Sequence, residues 1–249
     1  MYPILFRIGP ISIYSYGLML VLAFVISTYL AKRKANEVGF SAEAIVNLST
    51  YLLIGGVIGA RILYVFLNID EYKASPLQIF MLQRGGLSFY GGMLGGFLAG
   101  ILFLKKYKFP FTETADFIIP YVSLGQAIGR VGCFLRGCCY GKETLFFIRI
   151  KFPDELVYRH PTELYASLLN LFIFIFLIQA YRRRSFSGEI FLFYLILYSA
   201  KRFLLDFLRG DLPPIYMGLT VFQIVSIFVF LFSLIVFFYI KFCYGKKGA

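Results

Sequence analysis

The sequence predicts an all-α integral membrane protein with about seven transmembrane helices, and three observations lead there. Hydrophobic residues make up 59% of the 249 positions and charged residues only 15%, with a mean hydropathy of +0.77. A soluble domain carries about 25% charged residues. Apolar stretches near the roughly 20 residues needed to cross a bilayer recur along the chain, and a basic cluster follows every second one. The 30 Phe and 19 Tyr suit a bilayer core and its interfaces.

Residues 1–13 are short, amphipathic and proline-containing, without the basic start and small-residue cleavage site of a signal peptide. The first span is expected over about 14–31, ending on Lys32, Arg33 and Lys34. The second covers about 45–67, interrupted by Gly55, Gly56, Gly59 and Arg61. The third follows Arg84, Gly85 and Gly86 and reaches Leu104, with Gly91, Gly92, Gly95, Gly96 and Gly100 inside it. Small residues at three- and four-residue spacing let helices pack backbone to backbone. The fourth, about 117–135, holds Pro120 and Arg130. Residues 136–161 are polar and read as an outer-side loop or small cap within one transmembrane domain spanning 1–249. Spans five to seven are expected over about 162–181, 189–208 and 219–242.

The formal charge of +12 is a matter of topology, not of nucleic-acid binding. Twelve of the 25 Lys and Arg follow spans one, three, five and seven: Lys32, Arg33, Lys34; Lys105, Lys106, Lys108; Arg182, Arg183, Arg184; Lys241, Lys246, Lys247. The positive-inside rule then puts the N-terminus outside and the C-terminus in the cytoplasm. The loops after spans two, four and six share the outer side.

Arg61, Arg130 and Arg202 lie inside apolar segments, where a charge is costly without a partner and by default marks function. Two readings stand. The arginines neutralise Asp116, Asp206 or Glu163 and lock helices together, or at least one grips a phosphate through its fork of donors. Arg202 and Asp206, four apart, can pair on one helical face. Around Arg130 the chain runs Gly-Gln-Ala-Ile-Gly-Arg-Val-Gly-Cys-Phe-Leu-Arg-Gly-Cys-Cys-Tyr-Gly over 125–141. Its glycines permit close backbone approach, and the stretch reads as the floor of a site for an anionic lipid headgroup.

Nearly end to end, the chain resembles the prolipoprotein diacylglyceryl transferases, bacterial integral membrane enzymes with seven helices. The matching pieces are Tyr16-Gly17-Leu18-Met19, Gly59-Ala60-Arg61, Gly85-Gly86-Leu87-Ser88-Phe89-Tyr90-Gly91-Gly92, Ala115-Asp116, Leu124 to Arg130, His160-Pro161-Thr162-Glu163-Leu164-Tyr165, and Arg202-Phe203 with Asp206-Phe207 and Arg209. The resemblance implies transfer of a diacylglyceryl group from phosphatidylglycerol to the lipobox cysteine of a prolipoprotein. Glycerol 1-phosphate leaves, at the outer leaflet of the bacterial cytoplasmic membrane, without a cofactor. It also implies that Arg130 is the essential arginine, that Arg202 is a second one near the headgroup, and that Tyr16, Arg61 and Gly141 belong to the lipid-binding set.

The family signature Gly-Arg-x-Gly-Asn-Phe-x-Asn-x-Glu-x-x-Gly departs here at three polar positions, which are Cys133, Arg136 and Cys138. The histidine often proposed as base is Tyr90, and Asp206 stands where the family usually has Glu. Tyr90 can act as a base only as phenolate, against a reference pKa of about 10; its other role is packing or a bond to phosphate. His160, the one histidine, is the side chain that titrates near neutrality unperturbed, and it is a catalytic candidate beside a structural role. Cys133, Cys138 and Cys139 lack a clear fourth ligand, and Cys243 sits near the cytoplasmic end, so no metal is expected. A Cys133–Cys138 disulfide, a nucleophilic cysteine and plain buried thiols remain open. The alternatives to the transferase are a paralogue with another acceptor and a membrane protein that binds phospholipid without this chemistry.

Overall fold

A computed structural model describes residues 1–8, 11–73, 76–81, 85–152 and 156–245. Arg84, Lys246 and Lys247, used above to mark span ends, lie outside the described residues. The chain opens with an antiparallel hairpin of β1 (Ile4–Ile8) and β2 (Ile11–Tyr14). Helices α1 (Ser15–Ala35), α2 (Ala42–Leu67), the short α3 (Ile69–Lys73), α4 (Phe89–Tyr107) and α5 (Phe111–Arg136) follow. A second small hairpin, β3 (Ile150–Lys151) with β4 (Tyr158–Arg159), precedes α6 (Thr162–Tyr181), α7 (Glu189–Asp206) and α8 (Val221–Gly245).

The architecture is therefore mostly helical, with two hairpins that the all-α expectation did not contain. Among the described residues, five helices (α1, α2, α5, α6 and α8) are long and apolar enough to cross a membrane. The other two long ones are weaker for identifiable reasons. In α4 the glycines, together with Lys105 and Lys106, dilute the hydropathy. Helix α7 carries Glu189, Lys201, Arg202 and Asp206. Helix α2 begins three residues before the expected start because Ser41 caps it, its hydroxyl accepting from the Ala44 amide at 3.0 Å.

The chain divides into two compact units. In residues 30–111, α2 and α4 meet along a seam of glycines. A Cβ at Gly59 would lie 2.5 Å from the Gly91 carbonyl oxygen and 2.7 Å from Gly95 Cα, so the backbones themselves are in contact. Ser88 caps α4, and its amide donates to Ala60 O at 3.0 Å. Phe103 packs at the end of α4, its ring stacked on Phe109 at 6.2 Å.

The other unit comprises residues 1–29 and 112–249. Here α1 lies close to α5, since a Cβ at Gly132 would come 2.9 Å from Met19 Cβ. Polar bonds tie α5 to its neighbours. Ser123 donates to Asn170 O at 2.9 Å, Ser167 to Ala127 O at 2.8 Å, and Gln126 Nε2 to the Tyr194 hydroxyl at 2.8 Å. Such interhelical bonds average about 0.6 kcal/mol in a membrane, so they fix rotation more than stability. Asp116, fully buried, accepts from the Gly188 and Phe191 amides at 2.7 and 2.9 Å and so closes the start of α7. Ile173, Leu177, Ile190 and Tyr194 form the apolar core between α6 and α7.

Between α5 and α6, backbone bonds tie the described residues of the connecting segment to one another and to the chain after α7. Gly141 N donates to His160 O at 2.8 Å, His160 N to Lys142 O at 3.1 Å, and Lys142 N to Leu208 O at 2.7 Å. The N-terminal hairpin also docks at the end of α5, where Tyr2 N donates to Leu135 O at 3.0 Å.

Candidate active site

The end of α5, the start of α6 and the last turns of α7 converge on one narrow cavity. Arg130, Lys201, Arg202 and Arg209 line it, together with Cys139 and Thr162. Four cations around one cavity would repel one another, and three of them are held by partners. Arg202 Nε lies 3.2 Å from Asp206 Oδ1, with its guanidinium 4.6 Å from the centre of the Phe222 ring. Lys201 Nζ donates to Asn170 Oδ1 at 2.5 Å and sits 3.9 Å from the centre of the Tyr198 ring. Arg209 forks onto Asp211 at 2.9 and 2.5 Å. Arg130, half-buried, makes no side-chain hydrogen bond or ion pair among the described residues. Its charge reaches Tyr16, Cys139, Glu163, Lys201 and Arg202.

The structure brings Tyr16, Arg130, Arg202, Asp206 and the three loop cysteines into one region. Asp206 is buried, pairs with Arg202 as the spacing allows, and accepts from Thr220 Oγ1 at 3.3 Å. Arg136 is exposed, with its guanidinium 5.9 Å from the centre of the Tyr16 ring. Gly141 is a junction: a Cβ there would lie 2.7 Å from both His160 Cβ and Leu208 O. Its lack of a side chain lets the chain around Gly141, the start of α6 and the chain after α7 meet. His160 takes part in that junction through its backbone, and its Nδ1 lies 3.4 Å from the Tyr165 hydroxyl.

Arg61 and Tyr90 belong to the 30–111 unit and are described there. Arg61 is buried and all its donors face backbone carbonyls. Nε donates to Ile79 O at 2.7 Å, Nη1 to Gly85 O and Gly86 O at 2.7 and 2.9 Å, and Nη2 to Gln78 O at 2.6 Å and towards Met81 O at 3.5 Å. Arg61 thus ties residues 78–81 and 85–86 to α2, and its fork is engaged by backbone where its expected place in the lipid-binding set would need it open. Tyr90 is 53% exposed in the first turn of α4, its ring 5.8 Å from that of Phe89.

Cys133, Cys138 and Cys139 are free thiols, so no disulfide joins Cys133 to Cys138. Their three sulfurs lie within 4.8 Å of one another, and those of Cys138 and Cys139 are 3.7 Å apart. The neighbouring thiols of Cys133 and Cys138, then the charges of Arg209 and Arg130, hold the Cys139 thiol below its ordinary range against the burial that raises it. Among the described residues this trio is the one cluster with the geometry to hold a metal ion.

Sequence reasoning passed over Lys201, Arg209 and Glu163 as site residues. Tyr198, Lys201, Arg202, Leu205 and Arg209 recur at three- and four-residue spacing, which puts them on one face, and that signal was available. Glu163 is 1% exposed, and neither carboxylate oxygen meets another residue's hydrogen-bond donor among the described residues. Cys139, Arg209 and Arg130 all act on it electrostatically. A buried carboxylate left unbonded among such neighbours is what an open functional site leaves behind.

Comparison with known proteins shows the family. A family profile described as prolipoprotein diacylglyceryl transferase matches residues 3–239. The phosphatidylglycerol–prolipoprotein diacylglyceryl transferase of Clostridium tetani is 32% identical over 242 residues, covering 95% of this chain and 97% of the relative. The Clostridium perfringens protein named phosphatidylglycerol–prolipoprotein diacylglyceryl transferase 2 is 34% identical, over 91% of this chain and 90% of the relative. That of Nostoc sp. is 36% identical, over 84% and 79%. The chain belongs to the prolipoprotein diacylglyceryl transferase family.

Proposed function

We propose that this protein is a phosphatidylglycerol–prolipoprotein diacylglyceryl transferase that crosses the bacterial cytoplasmic membrane seven times. Its N-terminus and its site face the outer leaflet. The family match and relatives named for this reaction, at 32–36% identity over most of the chain, support the activity. The alternating basic clusters support the orientation. Helix α7, with 18 residues, is about 27 Å long at 1.5 Å per residue, close to the hydrocarbon thickness. Its charged face is turned to the cavity and to Asn170, not to lipid.

The reaction joins a cysteine sulfur to the terminal glyceryl carbon of the lipid and breaks that carbon's bond to a phosphate oxygen. The electron pair leaves on glycerol 1-phosphate. Negative charge grows on that oxygen in the transition state, so cations placed in a water-poor cavity stabilise it differentially. The observation that carries this assignment is the contrast within the cation ring. Lys201, Arg202 and Arg209 are fixed by protein partners, whereas the Arg130 fork is free among the described residues. Arg130 takes the phosphate, and the other three hold the positive field around it.

The test is transfer by purified protein from phosphatidylglycerol to a lipobox peptide, scored by the mass of the peptide cysteine. A diacylglyceryl adduct is expected. Absence of the adduct, with the lipid still bound, would replace this assignment by phospholipid binding or by another acceptor.

A further inference from the structure

The transfer needs a thiolate nucleophile, and this chain has no histidine at the position usually proposed as base, only the exposed Tyr90. It has three thiols gathered beside the phosphate cavity instead. We propose that Cys133, Cys138 and Cys139 hold a zinc ion whose open fourth position binds and activates the acceptor thiol. This rests on the transferase assignment above and supplies the step that assignment leaves without a group.

The geometry points to a metal. With zinc–sulfur bonds of about 2.3 Å, the sulfurs of a tetrahedral site lie about 3.8 Å apart. Cys138 and Cys139 are 3.7 Å apart, and all three sulfurs lie within 4.8 Å of one another. A disulfide requires about 2.05 Å and would leave one of the three cysteines unmatched.

The backbone is shaped to gather these sulfurs. Cys133 occupies the last turn of α5, and its carbonyl accepts from the Gly137 and Cys138 amides at 3.0 and 3.2 Å. Gly137 takes the left-handed conformation that ends the helix, at φ +79°. Cys139 then adopts φ +68°, uncommon for a residue with a side chain. Two such residues two positions apart fold the loop back over the helix end. Thr162 Oγ1 donates to Cys139 O at 2.9 Å and pins the loop to α6. Arg130 and Arg209 both act electrostatically on Cys139, and their charges balance the excess negative charge of three thiolates on a divalent ion.

The missing fourth ligand, which argued against a metal in the sequence, is what catalysis requires. Structural zinc sites are closed by four protein ligands, while catalytic ones keep one position for water or substrate. Cys139 lines the same cavity as Arg130, Arg202 and Arg209, so the ion would border the site of the leaving phosphate. A thiol that binds zinc loses its proton. The acceptor thiol displaces zinc-bound hydroxide, and its proton departs in the water released. The sulfur lone pair then forms the C–S bond, the C–O bond to phosphate breaks, and its electron pair leaves on glycerol 1-phosphate. The neutral thioether is a poorer ligand; water replaces it and gives one proton to the departing phosphate, which restores the zinc-bound hydroxide.

The experiment uses the full protein, purified in detergent under reducing conditions. About one zinc per chain is expected, falling below roughly a tenth of that in Cys138→Ser and in Cys133→Ala. Replacement by cobalt should give sulfur-to-cobalt absorption bands. A lipobox peptide should shift those bands, and its serine counterpart should not. Chelation of the unmutated protein, which avoids any folding defect of a variant, should lower transfer roughly 10²-fold or more, as loss of a base does, with recovery on adding zinc. Failure to bind either metal, a bound metal indifferent to the peptide, or metal-free protein transferring at the parent rate would each overturn the inference. The last outcome would leave the transferase assignment standing. Peptide-dependent cobalt bands without any transfer would do the opposite.

Discussion

Arg61 and Arg130 are the same side chain in apolar helices, in opposite circumstances. In the 30–111 unit, the donors of Arg61 meet five backbone carbonyls, at 2.6 to 3.5 Å. In the other unit, Arg130 meets no hydrogen-bond or ion-pair partner among the described residues, and three other cations share its cavity. A buried charge with every donor satisfied holds a fold together; a charge left open waits for a ligand. The comparison also separates two uses of glycine. Gly59, Gly91 and Gly95 let two helices touch. Gly141 lets three chain segments meet behind a site.

Several substitutions would break or sharpen that contrast. Arg130→Ala should lower transfer roughly 10²–10³-fold, the loss seen when one donor to a developing oxyanion is removed, with its thermal unfolding midpoint unchanged. Arg130→Lys should recover only part of the rate, since an ammonium offers no planar fork. Arg61→Ala should show the reverse pattern. Removing the guanidinium strands several carbonyls, and about 2–3 kcal/mol of stability should be lost, visible as a lower melting midpoint and faster proteolysis near residues 76–81. Turnover per folded molecule should change far less than in Arg130→Ala. Equal losses of turnover in the two variants would erase the distinction.

Gly59→Ala should cost about 1–3 kcal/mol, because the added Cβ would be forced against the Gly91 carbonyl. Helical separation read by a spin-label pair on α2 and α4 should increase. The smallest effect is expected at Arg136. Its side chain is exposed and reaches only the Tyr16 ring, so Arg136→Ala should leave transfer within about threefold of the parent. A larger loss would bring it into the phosphate site.

Most of the helical frame was legible in the sequence because apolar length and flanking charge are local signals. The fifth span, read over 162–181, coincides with α6, Thr162–Tyr181. The second missed its start by three residues because the Ser41 cap lies before the apolar run. The N-terminal hairpin was not read, since residues 1–13 are short and interrupted by prolines, and its register depends on pairing across a turn. At the site, Arg130, Arg202 and Asp206 stood out as charges in apolar surroundings. The Arg202–Asp206 pair followed from their four-residue spacing, but the other engagements did not, because those partners come from other helices or from beyond the helix end. Asn170 reaches Lys201 across 31 residues, and Thr220 reaches Asp206 across 14. Glu163 was visible as part of a motif and as a candidate partner for an arginine, and its isolation is a tertiary fact. The three cysteines lacked a fourth ligand in sequence; that they converge depends on the left-handed turn at Gly137 and Cys139.

The central claim is that Arg130, the one guanidinium of the cavity unengaged among the described residues, grips the phosphate that leaves. The most direct measurement is transfer from phosphatidylglycerol to a lipobox peptide by the parent and by Arg130→Ala, with the melting midpoint of each measured in the same preparation. The account predicts a diacylglyceryl adduct from the parent, almost none from the variant, and equal midpoints. An adduct formed by Arg130→Ala at the parent rate would contradict it.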